Sequence, residues 1–265
     1  MTHSASLLFY TRPVVLDRAQ HAALKFETSA DLGFAAGASV VPLLSVEFVD
    51  AAREYPIVFL RNAEAVLAPV VLTGTPAGHN VYVEKSGRWN ARYVPAYVRR
   101  YPFVLAQTAP DQFTVCIDEA CPGLDASHGT ALFDSSGKPS GTLQQVVSGL
   151  SEFQRQAKLT ETFMQRLEAA GLLMEASGRV NVIDGRHLNL QGFWVVDEAR
   201  LRALPPDTLQ SLLASGELGL IYAHLLSLGN LTELVRRAPD ATADAEPRPP
   251  VKHQRPSTVQ AETVR

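Results

Sequence analysis

The sequence predicts an α+β fold, β-rich first and helical afterwards. Three observations carry this. Short apolar or alternating runs, punctuated by Gly, Pro, Asn and Asp, fill about 39–134. Apolar residues at helical spacing fill about 142–237. Strands followed by helices, rather than strict alternation of the two, is the α+β pattern. From Pro239 the chain turns proline-rich and carries no aromatic residue. Such a composition buries too little apolar surface to offset its ordering entropy, so 239–265 is expected to be a disordered tail. One domain is expected over 1–238.

Along the chain, Leu7–Tyr10 and Val14–Leu16 are candidate strands, and Ala19–Phe26 a candidate short helix. Val40–Val49, Ile57–Leu60, Val70–Leu72, Val81–Glu84, Phe103–Ala106, Phe113–Ile117 and Ala131–Phe133 read as strands. Lys85-Ser86-Gly87-Arg88 and Asp134-Ser135-Ser136-Gly137 read as turns. Helices are predicted near 142–157 and 160–173, the second ending at Gly171. Val180–Ile183 and Phe193–Val196 read as strands joined through an Asp184-Gly185 turn. Helices then follow at Glu198–Leu204, at Asp207–Ala214 with Asp207 as N-cap, and near 217–236. A short echo joins Arg53–Phe59 to Arg100–Leu105. In both, a helix-compatible stretch runs into Tyr-Pro and then an apolar run. The residue before proline is pushed out of the α region, so Tyr55 and Tyr101 should end helical segments.

The chain of 265 residues is 46% hydrophobic with a net charge of −3. That is enough apolar material to build a core without disulfides or metal. The near-neutral balance argues against a dedicated nucleic-acid binder, which needs surplus Lys and Arg. Cys116 and Cys121 are too few for a disulfide framework and are expected to be reduced. No secretory leader is recognisable at the N-terminus, and neither Ala65–Gly74 nor Leu218–Gly229 reaches the ~20 residues a membrane span needs. The cytoplasm is the expected compartment, with signal-less export to the cell surface as the alternative.

Several strings then occur in order: Glu54-Tyr-Pro-Ile-Val-Phe59, Gly87-Arg-Trp89, Tyr93-Val-Pro-Ala-Tyr-Val-Arg-Arg-Tyr-Pro-Phe103, Cys116-Ile-Asp118, Leu132-Phe-Asp134, Gly192-Phe-Trp-Val-Val-Asp197 and Ile221-Tyr-Ala-His-Leu-Leu-Ser227. Together they resemble the bacterial SapC family over roughly Val40–Arg237. The Tyr93–Phe103 string is the most specific part. The family name implies association with a surface layer and brings no catalytic residue with it. A transporter permease shares the name, and this chain lacks the apolar spans a permease requires.

Charge is segregated locally. Lys85, Arg88, Arg92, Arg99 and Arg100 follow one another with no acid between them. Asp111, Asp118, Glu119, Asp125 and Asp134 then follow with no base. Pairing between the two blocks is the expected use of these charges. The functional alternative is an anion or saccharide surface. Trp89, Tyr93, Tyr97 and Tyr101 would supply rings, and Arg99 and Arg100 planar donor forks. If Ala96–Arg100 is one helical turn, Arg99 and Arg100 must point different ways.

Asp118 and His224 are the remaining candidates, should the protein be an enzyme. Asp134, Asp184 and Asp197 sit where turns or helix starts explain them. Cys116, Asp118, Cys121 and His128 match no zinc spacing, so no metal is expected. No phosphate-loop, dinucleotide, metalloprotease or nucleophile-elbow motif is present, and no cofactor is expected. The sequence therefore favours a non-enzymatic binding or accessory protein that takes an anionic or saccharide-like ligand. A surface-layer component and an enzyme of unrecognised type are the alternatives.

Overall fold

The computed structural model describes residues 7–62, 65–75, 78–109, 112–181 and 187–238. In chain order the strands are β1 (Pro13–Val15), β2 (Lys25–Phe26), β3 (Val40–Pro42), β4 (Ile57–Arg61), β5 (Leu67–Leu72), β6 (Gly74–Thr75), β7 (His79–Asn80), β8 (Phe103–Ala109), β9 (Gln112–Asp118), β10 (Leu124–Asp125), β11 (Thr130–Ala131), β12 (Leu173–Asn181) and β13 (His187–Val196). The α-helices are α1 (Phe48–Ala51), α2 (Ala96–Arg99), α3 (Gly141–Ala169), α4 (Glu198–Arg202), α5 (Pro206–Ala214), α6 (Glu217–Ser227) and α7 (Leu231–Arg237). The predicted α+β class is the one observed, with the long helices late in the chain.

The largest sheet is antiparallel with order β12-β13-β4-β5-β3. Around it lies the larger core, including Val41, Phe48, Tyr55, Phe59, Val71, Leu167, Ile221 and Leu234. A second sheet of order β1-β9-β8 contributes to a smaller core built on Phe103, Ile117, Leu132, Phe133, Leu143 and Leu150.

Helix α3 serves both cores. Leu143 and Leu150 enter the smaller one, and Phe163, Met164 and Leu167 the larger. The two helices predicted over 142–157 and 160–173 are thus one. The apolar stripe changes partner, while Lys158, Leu159 and Thr160 contain no helix breaker. Ser140 caps α3 by accepting from Leu143 N–H at 3.3 Å. Gly171, at φ 65°, ends the helix as predicted, with Leu172 N–H returning to Leu167 O at 3.0 Å.

Other boundaries shift for local reasons. The predicted strand Val40–Val49 stops at Pro42, because the Glu47 carboxylate accepts Leu44 N–H at 2.9 Å and draws the chain into a 3₁₀ turn and α1. The predicted helix over Ala19–Phe26 does not form. The Asp17 carboxylate accepts the N–H groups of Ala19 and Gln20 at 2.7 and 3.0 Å, which makes a turn instead. Leu7–Tyr10 is also a turn, closed by Tyr10 N–H on Leu7 O. Helix α5 starts on Pro206 with Pro205 at the cap, so Asp207 lies inside its first turn. Asp184-Gly185 and 239–265 lie outside the described residues.

Both Tyr-Pro sites follow a four-residue helix and precede a strand, as the echo suggested. They serve different sheets, and only Tyr101–Pro102 is cis among the described residues.

The predicted helix near 217–236 divides into α6, a 3₁₀ turn at Leu228–Asn230, and α7. Asn230 at that turn donates to Ala52 O and Tyr55 O, at 2.7 and 3.1 Å. By length and composition, Glu217–Arg237 is long and apolar enough to cross a membrane. In the fold its Ile221, His224, Ser227 and Leu234 are fully buried among the other elements.

Candidate functional site

A cleft of about 1670 Å³ opens between the N-terminal segment, α2 and the first half of α3. Its walls carry Phe9 and Phe34 from the N-terminal segment, Tyr93 and Arg99–Phe103 around α2, and Leu150 and Phe153 from α3. The segment leading into α2 hangs on two carboxylates. Glu47, nearly fully buried, accepts the Tyr93 hydroxyl at 2.6 Å and Ala96 N–H at 2.7 Å. Glu54 accepts the backbone N–H groups of Arg92 and Tyr93 at 2.7 and 3.1 Å. Burial and the Glu47 contact raise the Tyr93 hydroxyl above its usual range.

Arg99 and Arg100 point different ways, as one helical turn requires. Arg99 is exposed and donates from Nε to Val94 O at 2.9 Å. Arg100 turns inward. Its guanidinium lies 4.0 Å from the centre of the Tyr97 ring and 4.5 Å from that of Phe153. Its Nε and Nη2 are shielded from solvent and have no hydrogen-bond partner. A buried donor without an acceptor costs about 1–3 kcal/mol, and more when it is charged. The flanking rings offset part of this through cation–π attraction. Unmet donors of this kind are rare in folded proteins and mark either stored strain or a missing partner.

Tyr101 forms the neighbouring wall. Its ring stacks on Phe34 at 4.1 Å, and its hydroxyl donates to Asp118 Oδ2 at 3.2 Å. Asp118 is fully buried and accepts the backbone N–H groups of Thr11, Arg12 and Ala120 at 2.9, 2.9 and 3.1 Å. Burial opposes its ionisation, yet these donors outweigh burial and hold the carboxyl below its ordinary value. Asp118 therefore ties the N-terminal segment to β9 and aims Tyr101 at the cleft. Cys121 also lines the cleft, and burial raises its thiol.

The other candidates lie elsewhere. Trp89 is in the larger core, where its Nε1 donates to the Tyr55 hydroxyl at 2.8 Å, and that hydroxyl in turn donates to Tyr93 O. Tyr97 is buried beneath Arg100, and its hydroxyl accepts Leu8 N–H at 3.2 Å. His224 lies on α6, and its ring reaches the main sheet. Trp194 pairs with Phe59 where β13 meets β4. At the next partners in that register the His224 ring takes the place of the ladder. Its Nε2 accepts Val196 N–H at 3.1 Å, and its Nδ1 donates to Ile57 O at 3.0 Å. Burial lowers its pKa to about 4, against the opposing hydrogen bond to Ile57, and keeps the ring neutral.

The expected pairing between the basic and acidic blocks does not occur among the described residues. Arg88 pairs with Glu84 at 2.6 Å, and Glu119 pairs with Arg12 at 3.0 Å. Asp125 and Asp134 cap their own turns. Asp111 lies outside the described residues. Arg88 finds Glu84 four residues back in its own turn, and Glu119 finds Arg12 because the fold brings the N-terminal segment against β9. No group of three metal-ligating side chains forms among the described residues.

Sequence reasoning missed Glu47, Glu54 and Phe34. Their roles depend on the return of distant segments, and nothing in their local pattern signals it. Phe153 was legible only as one member of the apolar stripe on α3.

No curated protein and no solved structure matches the chain. The SapC family model matches residues 16–234, which span the five-stranded sheet, α3 and most of the cleft walls, while β1 and Phe9 precede the match. The chain belongs to the SapC family.

Proposed function

We propose that this SapC protein is a non-enzymatic binding protein that holds an anionic group in the cleft, with Arg100 as its anchor. One observation carries the reading: the buried Nε and Nη2 of Arg100, on a side chain that lines the cleft, have no hydrogen-bond partner, and the Tyr10 hydroxyl beside the guanidinium donates to Phe103 O instead. Nε and Nη2 share one edge of the guanidinium, the edge that grips two oxygens at once. Tyr93 and Tyr101 add rings on the same wall. We assign no reaction to the site. Asp118 and His224, the groups best suited to acid–base work, spend their polar atoms on backbone partners. Cys116 and Cys121, both unpaired to each other and buried, suit the reducing cytoplasm in which we place the protein.

A thermal-shift panel of acetate, phosphate, glucuronate and a neutral glycan tests this on the native protein and on Arg100→Met. An anion that raises Tm in the native protein only supports the reading. No shift, or equal shifts in both proteins, overturns it.

A second reading, a surface-layer component, draws on exposed apolar side chains. Leu213 and Leu226 are 66% and 77% exposed. Ordered arrays of purified protein under the electron microscope support it, and a monomer at high concentration counts against it.

A further inference from the structure

We infer that the anion held by Arg100 is a single carboxylate carried on an apolar body, a monocarboxylic acid with an acyl or aromatic tail. This rests on the reading of the cleft as an anion site. The first support is geometric. Two other arginines show what the Nε–Nη2 edge does when it is filled. Arg88 donates from Nε and Nη2 to the two oxygens of Glu84, at 3.0 and 2.6 Å. Arg155 does the same to Glu152, at 2.8 and 2.6 Å. Both edges hold one carboxylate. The same two atoms of Arg100 hold none.

The second support is charge. The acids lining the cleft are Glu27, Asp31, Glu47, Asp50 and Glu152, against Arg99 and Arg100 as the only bases in that lining. A phosphate ester or polyphosphate would meet repulsion from this rim, and a single negative charge far less. The third support is the wall itself. Phe9, Phe34, Tyr101, Leu150 and Phe153 give the cleft aromatic and aliphatic surface, with Phe153 against the guanidinium. An apolar body gains from burial there. Arg100 is now stored between two rings. Its side chain has several rotatable bonds, and a small turn of the head brings the open edge to an entering carboxylate.

The test is isothermal titration of the full chain with decanoate, 4-phenylbutyrate, 1-decanol, inorganic phosphate and ATP, repeated on Arg100→Lys. Lysine keeps the charge and loses the two-donor edge. If circular dichroism shows that R100K does not fold, Arg100→Gln carries the same comparison. The expected result is binding of one or both carboxylates, weakened about tenfold or more by R100K, with no binding of phosphate or ATP. Equal affinity for decanol and decanoate overturns the inference, because it shows an apolar pocket with no role for the head group. Arg100-dependent binding of phosphate or ATP, without the carboxylates, also overturns it and leaves the anion reading standing. If no probe binds in an Arg100-dependent way, both fall.

Discussion

The guanidinium of Arg100 lies 4.0 Å from the centre of the Tyr97 ring, with its Nε and Nη2 buried and unbonded. The contact compensates the charge without satisfying the donors. Ligand-free protein therefore carries a destabilising element at the centre of its cleft, a common trade of stability for binding.

Replacing Arg100 by Met should cost nothing in the ligand-free protein. Methionine fills a similar volume and removes a poorly satisfied buried charge. Urea unfolding is expected to give a stability within about 1 kcal/mol of the native value, or above it. A loss of several kcal/mol would mean that Arg100 is a structural anchor.

Acid should unfold the protein partly through His224. Its pKa is about 4 in the fold, against 6.5 ordinarily. The unfolded chain therefore binds a proton that the fold refuses. Stability is full above about pH 6.5, falls as pH drops toward 4, and has lost about 3 kcal/mol from this group by then. Denaturation midpoints from pH 7.5 to 4.5 read the slope. His224→Gln should flatten it, and an unchanged slope would place the titrating group elsewhere.

Removing the Tyr55 hydroxyl leaves Trp89 Nε1 without its acceptor and Tyr93 O without that donor. Tyr55→Phe should cost about 1–3 kcal/mol in urea unfolding, with the fold retained. A neutral result would show that water replaces the hydroxyl at both partners.

Asp118→Asn tests the tie between β9 and the N-terminal segment. An amide oxygen accepts more weakly than a carboxylate, and its NH₂ meets the N–H donor of Thr11 or, flipped, those of Arg12 and Ala120. The expected loss is about 2–3 kcal/mol, with faster tryptic cleavage after Arg18, since Pro13 protects the bond after Arg12. The native carboxyl sits below its ordinary value, so its stabilisation is present above about pH 4 and is lost as pH falls through the folded value. Unchanged cleavage in the variant would detach the segment's order from Asp118.

What the sequence made legible follows the range of each signal. Gly171 as a helix stop and the Lys85–Arg88 turn depend on a few neighbouring residues, and both were readable. So was the divergence of Arg99 and Arg100, which one helical turn dictates. Charge segregation pointed to Arg99 and Arg100, which line the cleft. It misled on partners, because Glu119 finds Arg12 across the sheet and Asp118 spends its oxygens on backbone. Trp89 and Tyr97 looked like ligand-facing rings and are core. An aromatic residue beside a basic one looks the same in sequence whether it faces a ligand or supports the arginine from below. His224 replacing a step of the β ladder has no local signature, since Ile57 and Val196 reach it from distant parts of the chain.

The most direct measurement is the NMR signal of the Arg100 Nε–H, assigned by its loss in Arg100→Lys and followed during titration with decanoate. A downfield shift and slowed solvent exchange as the ligand saturates are expected, because the open edge then holds a carboxylate. A signal that stays in place while decanoate binds would contradict the assignment of Arg100 as the anchor of the cleft.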